Sequence, residues 1–286
     1  MDRFCPRCNN SDIFHIRNGF FKSGSRRIQR YRCTLCKKEF SDATFQLRYR
    51  MRKRKIHGQV ERELCTGSSL RSAAKNLNIT YNTIVRKLDF LAKKARFMER
   101  KRVENLKGLQ EIQFDDMETF EHSKLKPLSI TVAVQKKTRL LLGANVSSMP
   151  AKGLIAAKSR KKYGHRIDGR KKQREKLLKK LLPVLDPEVI FETDEHPHYP
   201  KGIKKYYPKA THITFKGRRG CVVGQGELKA GGFDPLFSLN HTCAMLRYRV
   251  SRLIRRTWVT TKDPARLQDH IDIYIHYHNR ELLKGS

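Results

Sequence analysis

Phe191-Glu192-Thr193-Asp194-Glu195-His196-Pro197, entered through Val189 and Ile190, is the stretch on which the reading of the fold turns. An apolar, β-rich run that stops on an acidic residue and is closed by proline predicts a buried strand presenting a carboxylate at its end. One other stretch repeats the pattern, Glu111-Ile112-Gln113-Phe114-Asp115-Asp116. An aspartate after a strand ordinarily caps the strand or the next turn. Acids are scarce here, however, with 27 Asp plus Glu against 63 Lys plus Arg. Two strands that each deliver a carboxylate in so basic a chain point to a divalent-cation site for phosphate chemistry.

The formal charge of +36 over 286 residues far exceeds what solubility requires, and the basic residues run the whole length of the chain. The expected partner is a polyanion, with nucleic acid the default. No stretch approaches the ~20 apolar residues of a spanning helix, and Met1-Asp2-Arg3 leads into no hydrophobic signal region. The expected location is therefore intracellular. Four of the seven cysteines form two Cys-x-x-Cys pairs, which in a reducing compartment favours metal over disulfide.

Along the chain, Cys5, Cys8, Cys33 and Cys36 predict a zinc ribbon over residues 1–45, since two intervening residues let paired sulfurs approach one tetrahedral ion. Arg26 and Arg27 sit where one ribbon face could lie on phosphates, or simply face solvent. Residues 46–108 read as a helix-turn-helix unit with a helical continuation. Ser69 opens a short helix with Ala73 and Ala74 on its inner side, Asn78-Ile79 turns, and Thr80 opens a second helix with Ile84, Val85 and Leu88 inward. That second helix is expected to turn Tyr81, Asn82, Arg86 and Lys87 toward a major groove. Its continuation, Phe90 to Lys107, reads as a linker or dimerisation surface. Residues 109–286 read as three antiparallel strands, a basic helical section, the Asp194 strand, a further strand carrying His212, and a helical last third. The expected class is a multidomain α+β and α/β protein with a mixed sheet flanked by helices.

Taken together, Cys5-Pro6-Arg7-Cys8, Tyr31-Arg32-Cys33-Thr34-Leu35-Cys36-Lys37-Lys38-Glu39-Phe40-Ser41, Phe114-Asp115-Asp116-Met117, Thr193-Asp194, His212 with Lys216, and Leu246-Arg247 through Thr257 resemble the insertion-sequence transposases of families 1 and 1595, the ISXO-like group. The resemblance covers nearly the whole chain. It implies an RNase H-like core that cuts and joins DNA at transposon ends, two Mg²⁺ (or Mn²⁺) ions per catalytic site, one structural zinc, a homo-oligomer bridging two ends on terminal-repeat and target DNA, and a cytoplasmic, nucleoid-associated place in a prokaryote. Asp115 and Asp194 match the first two acids. Counting back from Leu246-Arg247 puts Asn240 at the third position, usually Glu, with Glu227 the nearest substitute. His212 is then a candidate to order the scissile phosphate or stabilise the leaving group, against the stronger reading of a simple buried, hydrogen-bonded histidine, and Lys216, Arg247 and Arg252 are expected to contact the DNA backbone. Two other functions share these features: a non-catalytic DNA-binding regulator, and a structure-selective nuclease that does not join ends.

Overall fold

The computed structural model describes residues 4–8, 15–49, 51–216, 234–254 and 260–284. The chain divides into two units, Met1–Lys55 and Ile56–Ser286. The first is a small antiparallel sheet: β1 (His15–Ser23) turns through Gly24, held at φ 63°, into β2 (Arg26–Cys33), and β3 (Glu39–Phe40) pairs with β2 at Tyr31 and Arg32. Tyr31, Phe40, Cys5 and Cys33 form its buried centre.

The second unit opens with three helices, α1 (His57–Leu64), α2 (Leu70–Asn76) and α3 (Tyr81–Asn105). Both N-caps sit where the sequence puts them. Ser69 accepts from Ser72 N and Thr80 from Thr83 N, filling amide donors that a first helical turn leaves unpaired. Asn78 takes the left-handed conformation, φ 48°, that the tight turn between α2 and α3 requires. Two expectations fail on α3. Its second half is not a linker or a free dimerisation surface, because Leu91, Ala92 and Ala95 are buried against α8 (Pro264–Lys284), and Arg96 reaches Asp269 and Asp272 there at 2.9 and 2.7 Å. Lys87 is not on the outer face. It is 3% exposed, with Nζ 2.8 Å from His57 Nε2, since positions 84, 87, 88 and 91 share the buried side of a 3.6-residue helix.

The central sheet consists of β4 (Leu109–Phe120), β5 (Pro127–Gln135), β6 (Leu141–Ser148), β7 (Leu185–Asp194) and β8 (Thr211–Phe215), in the order β6-β5-β4-β7-β8. β4, β5 and β6 are antiparallel neighbours, whereas β7 and β8 add in parallel through the crossovers that carry α4 (Ala156–Tyr163), α5 (Arg170–Leu181) and α6 (Tyr199–Tyr206). Ile112, Phe114, Val189 and Phe191 pack one face against Leu177, Leu178 and Ile203. Met117, Leu128, Ile130 and Val132 pack the other against α7 (Phe237–Arg249), α8 and the three leading helices. The result is a mixed α/β sandwich whose sheet is flanked by helices.

Helix α8 also closes the exposed edge of the sheet. Asn279 exchanges hydrogen bonds with Leu141 N and O, and Gln268 does the same with Val146 N and Ala144 O, all at 2.8–2.9 Å. Two side-chain amides thus stand in for a missing neighbour strand, and β6 offers no template for pairing with another chain there. No described helix is long and apolar enough to cross a membrane.

Candidate functional site

Strand alternation decides what each acidic residue does. β4 pairs with β7 in parallel register, Ile112 opposite Phe191 and Gln113 opposite Glu192, so two residues further on Asp115 and Asp194 lie side by side on one face. This is the face covered by α7. Asp116, one residue along, points to the other face, where Arg174 from α5 donates to its Oδ2 at 2.7 Å and Thr131 hydroxyl donates to its Oδ1. Glu192 is also neutralised, by Lys136 Nζ, and accepts from Gln113 Nε2 at 2.8 Å. Among the described residues no lysine or arginine bonds Asp115 or Asp194. Burial pushes the Asp115 carboxyl up to about 6 from 3.8, and the Asp194 charge beside it adds to the rise.

The carboxylate of Asp115 is held at one oxygen. Oδ1 accepts from Asp116 N at 2.6 Å and from Tyr199 hydroxyl at 2.9 Å. Tyr199 opens α6, just beyond the end of β7, and is 2% exposed, edge-on to Phe114 with ring centroids 5.6 Å apart. Burial, reinforced by the carboxylate, raises the tyrosine far above its ordinary range and keeps it a donor. Asp194 Oδ1 accepts from His196 N at 3.0 Å.

Helix α7 is tied down over the same face by Gln113, whose Oε1 accepts from Leu239 N and whose Nε2 donates to Pro235 O, both at 2.8 Å. Asn240 stands in the first turn of this helix, exposed, with Nδ2 donating to Asp234 Oδ2 at 2.9 Å. Its amide is thus committed to Asp234 through nitrogen, with the oxygen not so engaged. One turn on, burial drives the Cys243 thiol up to about 12 and the charge of Asp115 adds to the effect, so the helix passes close to the carboxylate pair. Glu227 lies outside the described residues.

His212 does not join this group. It is opposite Phe191 in the parallel register, which turns it to the face away from Asp194, and its Nε2 lies 2.8 Å from Thr193 Oγ1. Because that hydroxyl donates its proton to Asp194 O at 2.7 Å, the imidazole must donate through Nε2. Burial lowers its pKa, and the residue is a hydrogen-bonded structural histidine.

The second cluster is in the Met1–Lys55 unit. Sulfurs of Cys5, Cys8, Cys33 and Cys36 all lie within 4.8 Å of one another, and this is the one group of three or more His, Cys, Asp or Glu ligands so gathered among the described residues. Burial pushes Cys5 up, but amide donors from Cys8 and Arg7 outweigh it and bring that thiol down to about 7. Four clustered sulfurs, one of them readily deprotonated, are a donor set compatible with a structural zinc.

Of the residues expected on DNA, Arg26, Arg27, Tyr81, Asn82, Arg86, Lys216 and Arg247 are exposed. Arg252 is drawn inward, with Nη1 3.4 Å from Thr261 Oγ1 and its pKa lowered by burial. Sequence reasoning missed Gln113, Tyr199 and Cys243. The signals for them were faint: a glutamine inside an apolar strand, and an aromatic five residues after Asp194 next to a helix-starting Pro200. No protein-family model matches the chain, and no curated protein matches it.

Proposed function

We propose that this protein is a DNA transposase that binds the ends of an insertion sequence and carries out Mg²⁺-dependent cleavage and strand transfer on an RNase H-like domain. One observation carries the reading. Of the four acids gathered at the middle of the sheet, Asp116 and Glu192 are each neutralised by a cation, while Asp115 and Asp194 stand together without one among the described residues, in a chain of net charge +36. Supplying a lysine would have relieved that repulsion at little cost in this composition. A pair left uncompensated is a pair kept for an external cation. The strand order, with the first three antiparallel and the last two added in parallel beside the first, supports the same reading.

The residues present fit hard divalent ions: two carboxylates, and an amide oxygen at Asn240 whose nitrogen is already used. Asp115 and Asp194, with Asn240, would hold Mg²⁺ or Mn²⁺, two ions per site, and such ions when bound supply positive charge beside the attacking and leaving oxygens of a phosphodiester. Tyr199 and Asp116 N both grip Asp115 Oδ1, so Oδ2 stays uncommitted and oriented. Gln113 holds α7 at its first turn and thereby sets the position of Asn240. Tyr81, Asn82 and Arg86 on α3 serve as groove contacts, with Lys216 and Arg247 on the phosphates. A homo-oligomer would bring two ends together.

Incubating a transposon-end oligonucleotide with protein and Mg²⁺ tests this. Asp115→Ala and Asp194→Ala should each abolish cleavage with duplex binding unchanged, and full activity in either variant refutes the metal site. Cleavage without joining would assign a nuclease, and binding without cleavage a regulator. Comparing Asn240→Ala with Glu227→Ala identifies the third ligand.

A further inference from the structure

We propose that the tip of the β1–β2 hairpin is a platform for single-stranded DNA. The proposal rests on the nucleic-acid reading above and adds the form of the partner. Three apolar side chains of β1 stand open in this hairpin: Ile16 is 55% exposed, Phe20 47% and Phe21 37%. A left-handed Gly19, φ 67°, lies at the register break between Arg17 and Phe20. Beyond it Phe20 is opposite Gln29, Phe21 opposite Ile28, and Lys22 opposite Arg27. Alternation therefore puts Phe20 on one face with Lys22 and Arg27, and Phe21 on the other with Arg26 and Ile28. β3 reaches only Tyr31 and Arg32, so the tip is a ribbon of two strands with an aromatic ring and cations on each side.

Charge decides the kind of partner. From His15 to Cys33 the chain has no acidic residue, and the neighbouring Glu39 is occupied by Asn18 at 2.6 Å and Arg30 at 3.6 Å. An apolar surface in a hairpin whose charged side chains are all basic is complementary to an anion that also carries flat apolar faces. The Arg27 guanidinium already lies 4.1 Å from the centroid of the Phe20 ring, the stacked geometry that bases also adopt on such rings.

Duplex DNA satisfies half of this surface. Its phosphates suit the arginines, but its base faces are sealed inside the stack, and the phenylalanines would be left against hydrated backbone. An unpaired strand offers phosphates and bare base faces together, the combination used by sequence-tolerant single-strand binders.

The experiment is fluorescence anisotropy on the zinc-loaded, full-length protein with labelled oligothymidine and, separately, a blunt duplex of equal length. Phe20→Ala/Phe21→Ala should weaken oligothymidine binding roughly 10- to 100-fold, the worth of one or two base stacks, and leave the duplex affinity nearly unchanged. Phe20→Trp/Phe21→Trp, which keeps the stacking faces, should retain the wild-type affinity for oligothymidine. Equal losses on both DNAs, unchanged oligothymidine binding in the alanine variant, or tryptophans that behave like alanines would each overturn the proposal. So would a wild-type dimer, seen by sedimentation without DNA, that the alanine variant dissociates, because the face would then belong to a second copy. If the wild type binds neither DNA, the nucleic-acid reading itself falls; if it binds only the duplex, that reading stands and this one fails.

Discussion

Asp115→Asn should make the metal-free protein more stable above pH 7, whereas Asp116→Asn, one residue away, should make it less stable. The Asp115 carboxyl is raised from 3.8 to about 6 by burial and by Asp194. A raised acid contributes stability that is complete below its unfolded pKa and lost as pH climbs through the folded one. The loss therefore develops between pH 4 and 6 and persists above. At about 1.4 kcal/mol per pH unit the gap is worth about 3 kcal/mol, of which asparagine, neutral and still able to accept from Tyr199 and Asp116 N, should recover about 1–3 kcal/mol. Asp116→Asn instead strips the charge facing buried Arg174 and should cost about 3 kcal/mol. Urea denaturation at pH 4 and pH 7.5, with and without Mg²⁺, measures all of this. Mg²⁺ at a hundredfold excess over its Kd should stabilise the wild type by about 2.7 kcal/mol and leave Asp115→Asn unmoved. An Asp115→Asn protein that is less stable than wild type at pH 7.5, or that Mg²⁺ stabilises equally, would refute the reasoning.

Tyr199→Phe removes a donor that favours the ionised Asp115, so the carboxyl should rise further and the pH midpoint of Mg²⁺ binding, read by calorimetry, should move upward; a midpoint unchanged from wild type would deny Tyr199 its positioning role. In the wild type, protons compete for Asp115, and the Mg²⁺ affinity read by calorimetry should fall as pH drops through about 6; an affinity level between pH 7.5 and pH 5 would deny that competition. Chelating zinc should unfold the Met1–Lys55 unit and leave the Ile56–Ser286 unit intact by limited proteolysis, since each has its own buried core. Asn279→Ala should cost about 2–4 kcal/mol in denaturant, because it strands Leu141 N and O at the sheet edge and frees a buried Glu99 oxygen.

The elements were largely readable from residue patterns. Alternating apolar runs marked β4, β5 and β7, and hydroxyl residues before apolar periodicity marked the starts of α2 and α3, because both signals are local. Failures came where a partner distant in sequence decides. Lys87 is basic and next to Arg86, yet the period of the helix turns it onto His57, thirty positions upstream. The polar half of α3 looked free because its cover, α8, lies at the other end of the chain. His212 followed a strand pattern correctly, but only the register against β7 reveals which face it takes. Tyr199 showed only as an aromatic beside Pro200, with nothing to tie it to Asp115, since a hydroxyl reaching across 84 positions is a property of the crossover and not of the local sequence.

The contrast between adjacent aspartates is also what makes the site intelligible. β4 does not end at the aspartates but runs on past them to Phe120. Both aspartates thus sit within a strand, where a two-residue period sends neighbours to opposite sides. On the α5 side, an arginine and a hydroxyl turn Asp116 into part of the core. On the α7 side, Asp115 meets a second acid on the adjoining strand and receives only neutral donors. Hydrogen bonds from an amide and a phenol fix the orientation of a carboxylate without cancelling its charge. The fold therefore bears the cost of holding Asp115 beside Asp194, and it is this uncompensated pair that the proposed cation site rests on. In a chain of net charge +36, the lack of a lysine or arginine on this pair among the described residues is the most specific thing the sheet contains.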